Sequence, residues 1–140
     1  MRALTKRDYV LLSQFRYLLR RFSKFSETAA RAAGLTIQQH QALLAIQGFP
    51  GGAQITVGEL AERLNAYHHS TVGLVDRLVV RNLVQRRRDP RDRRRAMVAL
   101  TPKGRAALAA LTLSHQDELR DLAPMLKQLL TQIVQARPER

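Results

Sequence analysis

Fifteen residues, Arg81 to Arg95, hold eight arginines and two aspartates, a net charge of +6. Guanidinium groups at that density suit one chemistry above others: bidentate pairing with phosphate oxygens, with no loss of charge at any physiological pH. A second group stands just before it. His68, His69 and Ser70 carry side chains that both donate and accept hydrogen bonds, which is what recognition of polar edges requires. Other chemistries find no support. No paired carboxylates, nucleophile–base arrangement or Gly-rich phosphate loop is present, and Gly51-Gly52 has the character of a turn. The absence of cysteine excludes a disulfide framework, a Cys-based zinc site and a thiol switch. His40, His68, His69 and His115 do not make a metal site, because adjacent histidines leave a helix on different faces and no acid completes them at ligand spacing. The expectation is a binding protein rather than an enzyme, with no cofactor and no metal.

The whole chain of 140 residues carries +13, with a pI near 11.5. Such a balance points to a polyanionic partner. Its distribution is more telling than its sum, with +6 in residues 1–31, −1 in 32–80, +6 in 81–95 and +2 in 96–140. A length of 140 residues predicts a single domain with a real core. No run of 18 apolar residues predicts a membrane span, and the N-terminal MRALTKRDYVLL lacks the apolar core of a signal peptide. A cytoplasmic location and no membrane partner are expected.

The elements that must position the basic stretch follow from periodicity. Residues 4–31 predict one long helix, with Leu11, Leu12, Phe15, Leu18, Leu19, Phe22 and Phe25 recurring at spacings of three and four. Arg16, Arg20, Arg21 and Lys24 fill the rest of its circumference, and Gly34 ends it. Thr36 caps a second helix, Ile37 to about Gln47. Ile55 to Leu64 predicts a short helix opened by the capping box Thr56-x-x-Glu59. After the turn Asn65-Ala66-Tyr67, another helix runs from His68 to Arg81. It turns Val72, Leu74, Val75 and Leu78 inward, leaving a small, polar N-terminal half outside. Helix, tight turn and helix in this form is helix-turn-helix spacing.

Asn82 ends that helix, since asparagine tolerates the left-handed conformation. The basic stretch then predicts a hairpin: strand Leu83–Arg88, tip Asp89–Arg93, strand Arg94–Leu100, with Pro90 and the aspartates supplying turn chemistry. Thr101-Pro102 opens the C-terminal helices. One spans Ala106–Leu122, Pro124 is expected to interrupt it, and a last amphipathic segment with Met125, Leu126, Leu129, Leu130, Ile133 and Val134 leads into a fraying tail from Gln135. The fold class is therefore mainly α with a small β-hairpin wing, a winged helix-turn-helix. Residues 35–100 form its DNA-binding lobe within a single domain, 1–140. The flanking segments, 4–34 and 101–137, have more apolar surface than one small winged module covers, and form a helical dimerisation lobe.

Five motifs stand in register along this region: Leu60-Ala61-x-x-Leu64, Val75-Asp76-Arg77-Leu78, Leu83-Val84-x-Arg86, Asp89-x-x-Asp92-x-Arg94 and Leu100-Thr101-x-x-Gly104. Together they resemble the DNA-binding region of the MarR (multiple antibiotic resistance regulator) family, from Leu35-Thr36 through Gly104-Arg105, about half the chain. The resemblance implies a homodimer that binds near-palindromic double-stranded DNA, with two reading helices roughly 34–36 Å apart. It implies a transcriptional repressor or activator whose DNA affinity falls when a small, often aromatic ligand binds. Carried onto this sequence, His68, His69, Ser70, Val72 and Arg77 lie on the reading helix. On the wing, Arg86, Arg87 and Arg88 are phosphate candidates, Arg93 is a further DNA-binding residue, Arg94 matches the arginine that enters the minor groove, and Asp92 matches the acid that orients it. Phe15, Tyr17 and His40 are the candidate effector contacts.

Three positions depart from the family pattern. Tyr67 stands where a Ser or Asp cap is usual, Gly73 where an arginine is common, and Asn82 in place of a glycine. Two other functions use the same features: a constitutive architectural DNA-binding protein without effector, and a basic RNA-associated module. The hairpin has no aromatic residue on which single-stranded bases could stack, which weighs against RNA.

Overall fold

Among the described residues the periodicities become eight elements in chain order: α1 (Lys6–Ala32), α2 (Ile37–Gln47), β1 (Gln54–Ile55), α3 (Val57–Leu64), α4 (His68–Val80), β2 (Val84–Arg88), β3 (Ala96–Leu100) and α5 (Pro102–Gln135). The computed structural model describes residues 2–136. Residue 137, the expected limit of the helical lobe, and the rest of the tail lie outside the described residues. The chain divides into two units, one formed by the chain up to Ala29 and from Leu113 onward, the other by Ala30–Thr112.

The Ala30–Thr112 unit is a winged helix. Its helices begin where the sequence supplies caps. Thr36 and Gln39 form a reciprocal capping box for α2, and Thr56 and Glu59 form another for α3. Two asparagines stop helices in the left-handed region, Asn65 after α3 with φ of 52° and Asn82 after α4 with φ of 57°. Three antiparallel strands lie in the order β1-β3-β2. Register runs from Val84 opposite Leu100 to Arg88 opposite Ala96, while Ile55 faces Val98. Leu43, Ile46, Ile55, Leu60, Val75, Leu78, Val84, Val98 and Leu100 are almost wholly buried. Each such side chain stabilises the unit by about 1.5–3 kcal/mol.

The helical unit is held by two heptad pairs. Leu11 and Leu18 of α1, with Leu122 and Leu129 of α5, form a buried cluster, onto which Phe15, Phe22, Leu126 and Ile133 pack. Further along the same two helices, the His115 ring bonds Ser26 at 2.9 Å. Phe22 and Phe25 meet that ring edge-on, at 5.8 and 5.2 Å between centroids. Many apolar side chains stay outside this core: Leu12 is 58% exposed, Leu113 65% and Val134 69%.

Two expectations are corrected. Ile55 does not open α3; it ends a two-residue strand, too short to leave a periodic signal, and Thr56 caps the helix behind it. Pro124 does not end a helix either, because α5 runs unbroken through it. A proline removes one backbone hydrogen bond and crowds the preceding turn, yet Leu122 before it and Leu129 after it are both anchored on α1. That burial outweighs the local defect.

Candidate nucleic-acid interface

α4 offers its first turn to solvent. His68, His69 and Ser70 are exposed, Val72 is half-buried, and Arg77 is exposed. Between them, Thr71 is 1% exposed. Its amide (3.0 Å) and its hydroxyl (2.9 Å) both donate to the carbonyl of Tyr67. Tyr67 occupies the N-cap position and makes no side-chain cap bond. Its ring instead stacks on His69, 5.8 Å between centroids and 14° from parallel. Gly73 leaves room on the same helix, where an added Cβ would meet only the guanidinium of Arg77, at 3.4 Å.

The wing follows from strand alternation. β2 is an edge strand, buried at Val84 and exposed from Gln85 to Arg88. Period-two alternation places Arg86 on the Val84 face, which looks toward α4, and there its guanidinium pairs with Asp76. Asp76 is absent from the sequence-based candidates. Its signal was the shared face of Val84 and Arg86, which acquires a partner only once α4 is packed against β2. Arg88 turns inward along the hairpin and donates to the Arg93 carbonyl at 3.0 Å.

The tip is built by its two aspartates. The Asp89 carboxylate accepts from the Arg91 amide at 2.9 Å, and the Asp89 amide donates to the Arg95 carbonyl at 3.0 Å. Asp92 takes the Arg94 amide at 3.1 Å and the Arg94 Nε at 3.4 Å on one carboxylate oxygen. The Arg94 side chain is 95% exposed beyond that bond. Arg95 turns back to Glu59 at 3.3 Å. The Glu59 carboxyl is held below its ordinary value by the Thr56 hydroxyl and amide, with the charges of Arg95 and Arg63 adding to the effect. Arg81, at the foot of the hairpin, donates to Gln39 at 2.9 Å.

The candidate effector residues lie in both units. On α1, Phe15 packs on the leucine cluster. Tyr17, half-exposed, lines a groove of about 360 Å³ with Gln14, Arg21, Met125, Gln128 and Gln132. The Arg21 guanidinium lies over the Tyr17 ring, 5.9 Å from its centroid. His40 is a buried residue of α2, 3% exposed.

A family model described as MarR family matches residues 33–95, the span from the start of α2 to the second side of the wing. Over that span, a little under half of the chain, the protein resembles the MarR family. A curated relative in Bacillus subtilis (strain 168), the uncharacterized HTH-type transcriptional regulator YsmB, is 34% identical over 68 residues. That alignment covers 49% of this chain and 47% of the relative, so it spans about half the length of each. Among solved structures, a MarR family protein from Bacillus stearothermophilus superposes with a TM-score of 0.75 at 22% identity, over 95% of this chain and 97% of that one. A mutant of S. aureus MepR, solved bound to an oligodeoxyribonucleotide, gives 0.65 at 19% identity, over 89% and 95%. At those identities the two structures establish the fold alone, a mainly helical chain with a winged helix-turn-helix.

Proposed function

We propose that the protein is a homodimeric transcriptional regulator, acting as a repressor, that binds a near-palindromic site on double-stranded DNA and is released by a small aromatic ligand. The observation that carries this reading is the pairing of two outward features in one unit. The first turn of α4 presents His68, His69 and Ser70, and the wing presents Arg94 from a turn closed by Asp92. A reading helix in the major groove and an arginine in the narrow minor groove are a familiar combination of base and shape recognition. Asp92 restricts the Arg94 rotamers before binding, which lowers the ordering cost of contact. Arg87 and Arg93 extend from the same hairpin as phosphate contacts, and Arg77 from α4.

Dimerisation is supported by the apolar faces of α1 and α5. Leu12, Leu113, Leu119, Leu130 and Val134 remain exposed outside the Leu11–Leu129 cluster, as surfaces meant for a second copy would. The effector is inferred from the family likeness, and Phe15, Tyr17 and His40 are its candidate contacts. No helix among the described residues is long and apolar enough to cross a membrane.

Selection of bound duplexes from a random pool tests the proposal, repeated with candidate aromatic acids. A two-fold motif that weakens with one of those ligands is the expected result. Arg94→Ala should then cost about 1–3 kcal/mol of affinity for the selected site while sedimentation shows the same oligomer. Unchanged affinity at moderate salt removes Arg94 from the interface.

A further inference from the structure

Tyr67 departs from the pattern of the family that the chain resembles, and the structure gives that departure a form. The side chain does not cap α4, and 78% of the residue is exposed. A lone exposed aromatic needs no explanation. This one, however, is fixed at both ends. Its backbone carbonyl is held by the amide and hydroxyl of the buried Thr71, at 3.0 and 2.9 Å. Its ring is braced by the His69 imidazole, nearly parallel at 5.8 Å. The result is an exposed aromatic plate, stacked on a neighbouring imidazole, at the start of the helix proposed above to enter the major groove.

We propose that Tyr67, braced by His69, is a specificity-determining residue that reads the 5-methyl group of a thymine in the major groove. The proposal rests on the DNA-binding function above and assigns one of its contacts. Bases in a duplex are stacked, so an aromatic plate cannot slide between them without unstacking a step. What remains at the groove edge is polar, apart from the thymine methyl, which is the apolar partner the major groove displays. A plate already held in place loses little freedom on making that contact. His69 acts through Tyr67 in this arrangement: it is a positioning residue, and its outer ring edge stays available to a base or a water.

The test uses the full-length protein and its selected duplex, with each thymine in turn replaced by uracil, which deletes only the methyl. Burial of one methyl predicts a loss of about fourfold at one thymine in each half-site. Tyr67→Phe keeps that discrimination, because the ring supplies it. Tyr67→Ala binds the thymine and uracil duplexes equally, and His69→Ala narrows the difference between them. Tyr67 is exposed, so its variants should melt within a few degrees of the wild type, which a thermal scan checks. Persistence of the thymine preference in Tyr67→Ala overturns the assignment. So does an equal loss on thymine, uracil and random duplexes, which would mark a phosphate contact through the phenol. A wild-type protein that selects a site yet shows no uracil-sensitive position refutes the Tyr67 contact alone. One that selects no sequence refutes the DNA-reading function with it.

Discussion

Gly104 sits in the first turn of α5, buried, and offers a decisive perturbation of the base of the wing. A Cβ placed there would fall inside contact distance of the Leu83 carbonyl oxygen and 3.0 Å from its carbon. That same oxygen already accepts the Thr101 amide at 3.1 Å, and the Thr101 hydroxyl donates to the neighbouring Asn82 carbonyl at 2.7 Å. The obstructing atoms are backbone, with no rotamer to escape into, so α5 and the Leu83–Val84 segment must separate. Overpacking costs typically about 1–3 kcal/mol and sometimes more, and backbone against backbone belongs at the upper end. Alanine returns about 1 kcal/mol of helix propensity, leaving a net loss of about 2 kcal/mol for Gly104→Ala.

Gly58 is the matched control. It is an exposed residue of α3 whose added Cβ meets nothing within 4 Å. Gly58→Ala should stabilise the protein by about 0.5–1 kcal/mol through the unfolded chain. At roughly 4–8 °C per kcal/mol for a unit of this size, Gly104→Ala should melt about 8–16 °C below the wild type and Gly58→Ala slightly above it. Urea midpoints at one fixed protein concentration are the sounder measure, since association shifts apparent stability. Gly104→Ala as stable as the wild type, in an assay where Gly58→Ala stabilises, would refute the close approach of α5 to Leu83.

Acidification should weaken the Ala30–Thr112 unit through Glu59. A folded value held below the ordinary one stabilises above about pH 4.3, and that contribution fades as pH falls through the lower folded value. Glu59→Gln keeps an oxygen for the Thr56 amide and should flatten this acid limb; parallel limbs in the two proteins would exclude Glu59 as its source. Salt dependence should separate the wing arginines: Arg93→Ala should flatten the log–log slope by about 0.9, and Arg86→Ala by less, since Asp76 already neutralises that guanidinium. Equal slopes for the two variants would mean that the Asp76 pair gives way to phosphate on binding.

Much of this geometry is legible in the sequence because it is local. Thr56 and Glu59 are three residues apart, as are Thr36 and Gln39, and a capping box needs nothing else. Asn65 and Asn82 announce left-handed backbone by residue type. Asp92 and Arg94 are two apart, so their bond is a property of the turn. The misreadings share the opposite property. Pro124 obeys a local rule that the anchoring of Leu122 and Leu129 overrides. β1 exists only because β3 is there to pair with it. Asp76 and Arg86 are ten residues apart, joined by the way α4 and β2 pack.

The same distinction resolves the wing's charge. Of the eight arginines between Arg81 and Arg95, among them the phosphate candidates Arg86, Arg87 and Arg88, half build the wing. Arg81 bonds Gln39, Arg86 pairs with Asp76, Arg88 closes on the Arg93 carbonyl and Arg95 returns to Glu59. Each of these satisfies a carbonyl, an amide oxygen or a carboxylate of the unit itself. Arg87, Arg91, Arg93 and Arg94 are left on the outside of the hairpin, Arg94 alone among them held by a carboxylate. Exposed ion pairs add little stability, about 0–1 kcal/mol each. Their contribution is geometric, because a hairpin of like charges would otherwise splay. The acids Asp76, Glu59, Asp89 and Asp92 hold it closed, and Arg94 stands out of a fixed surface instead of a mobile one.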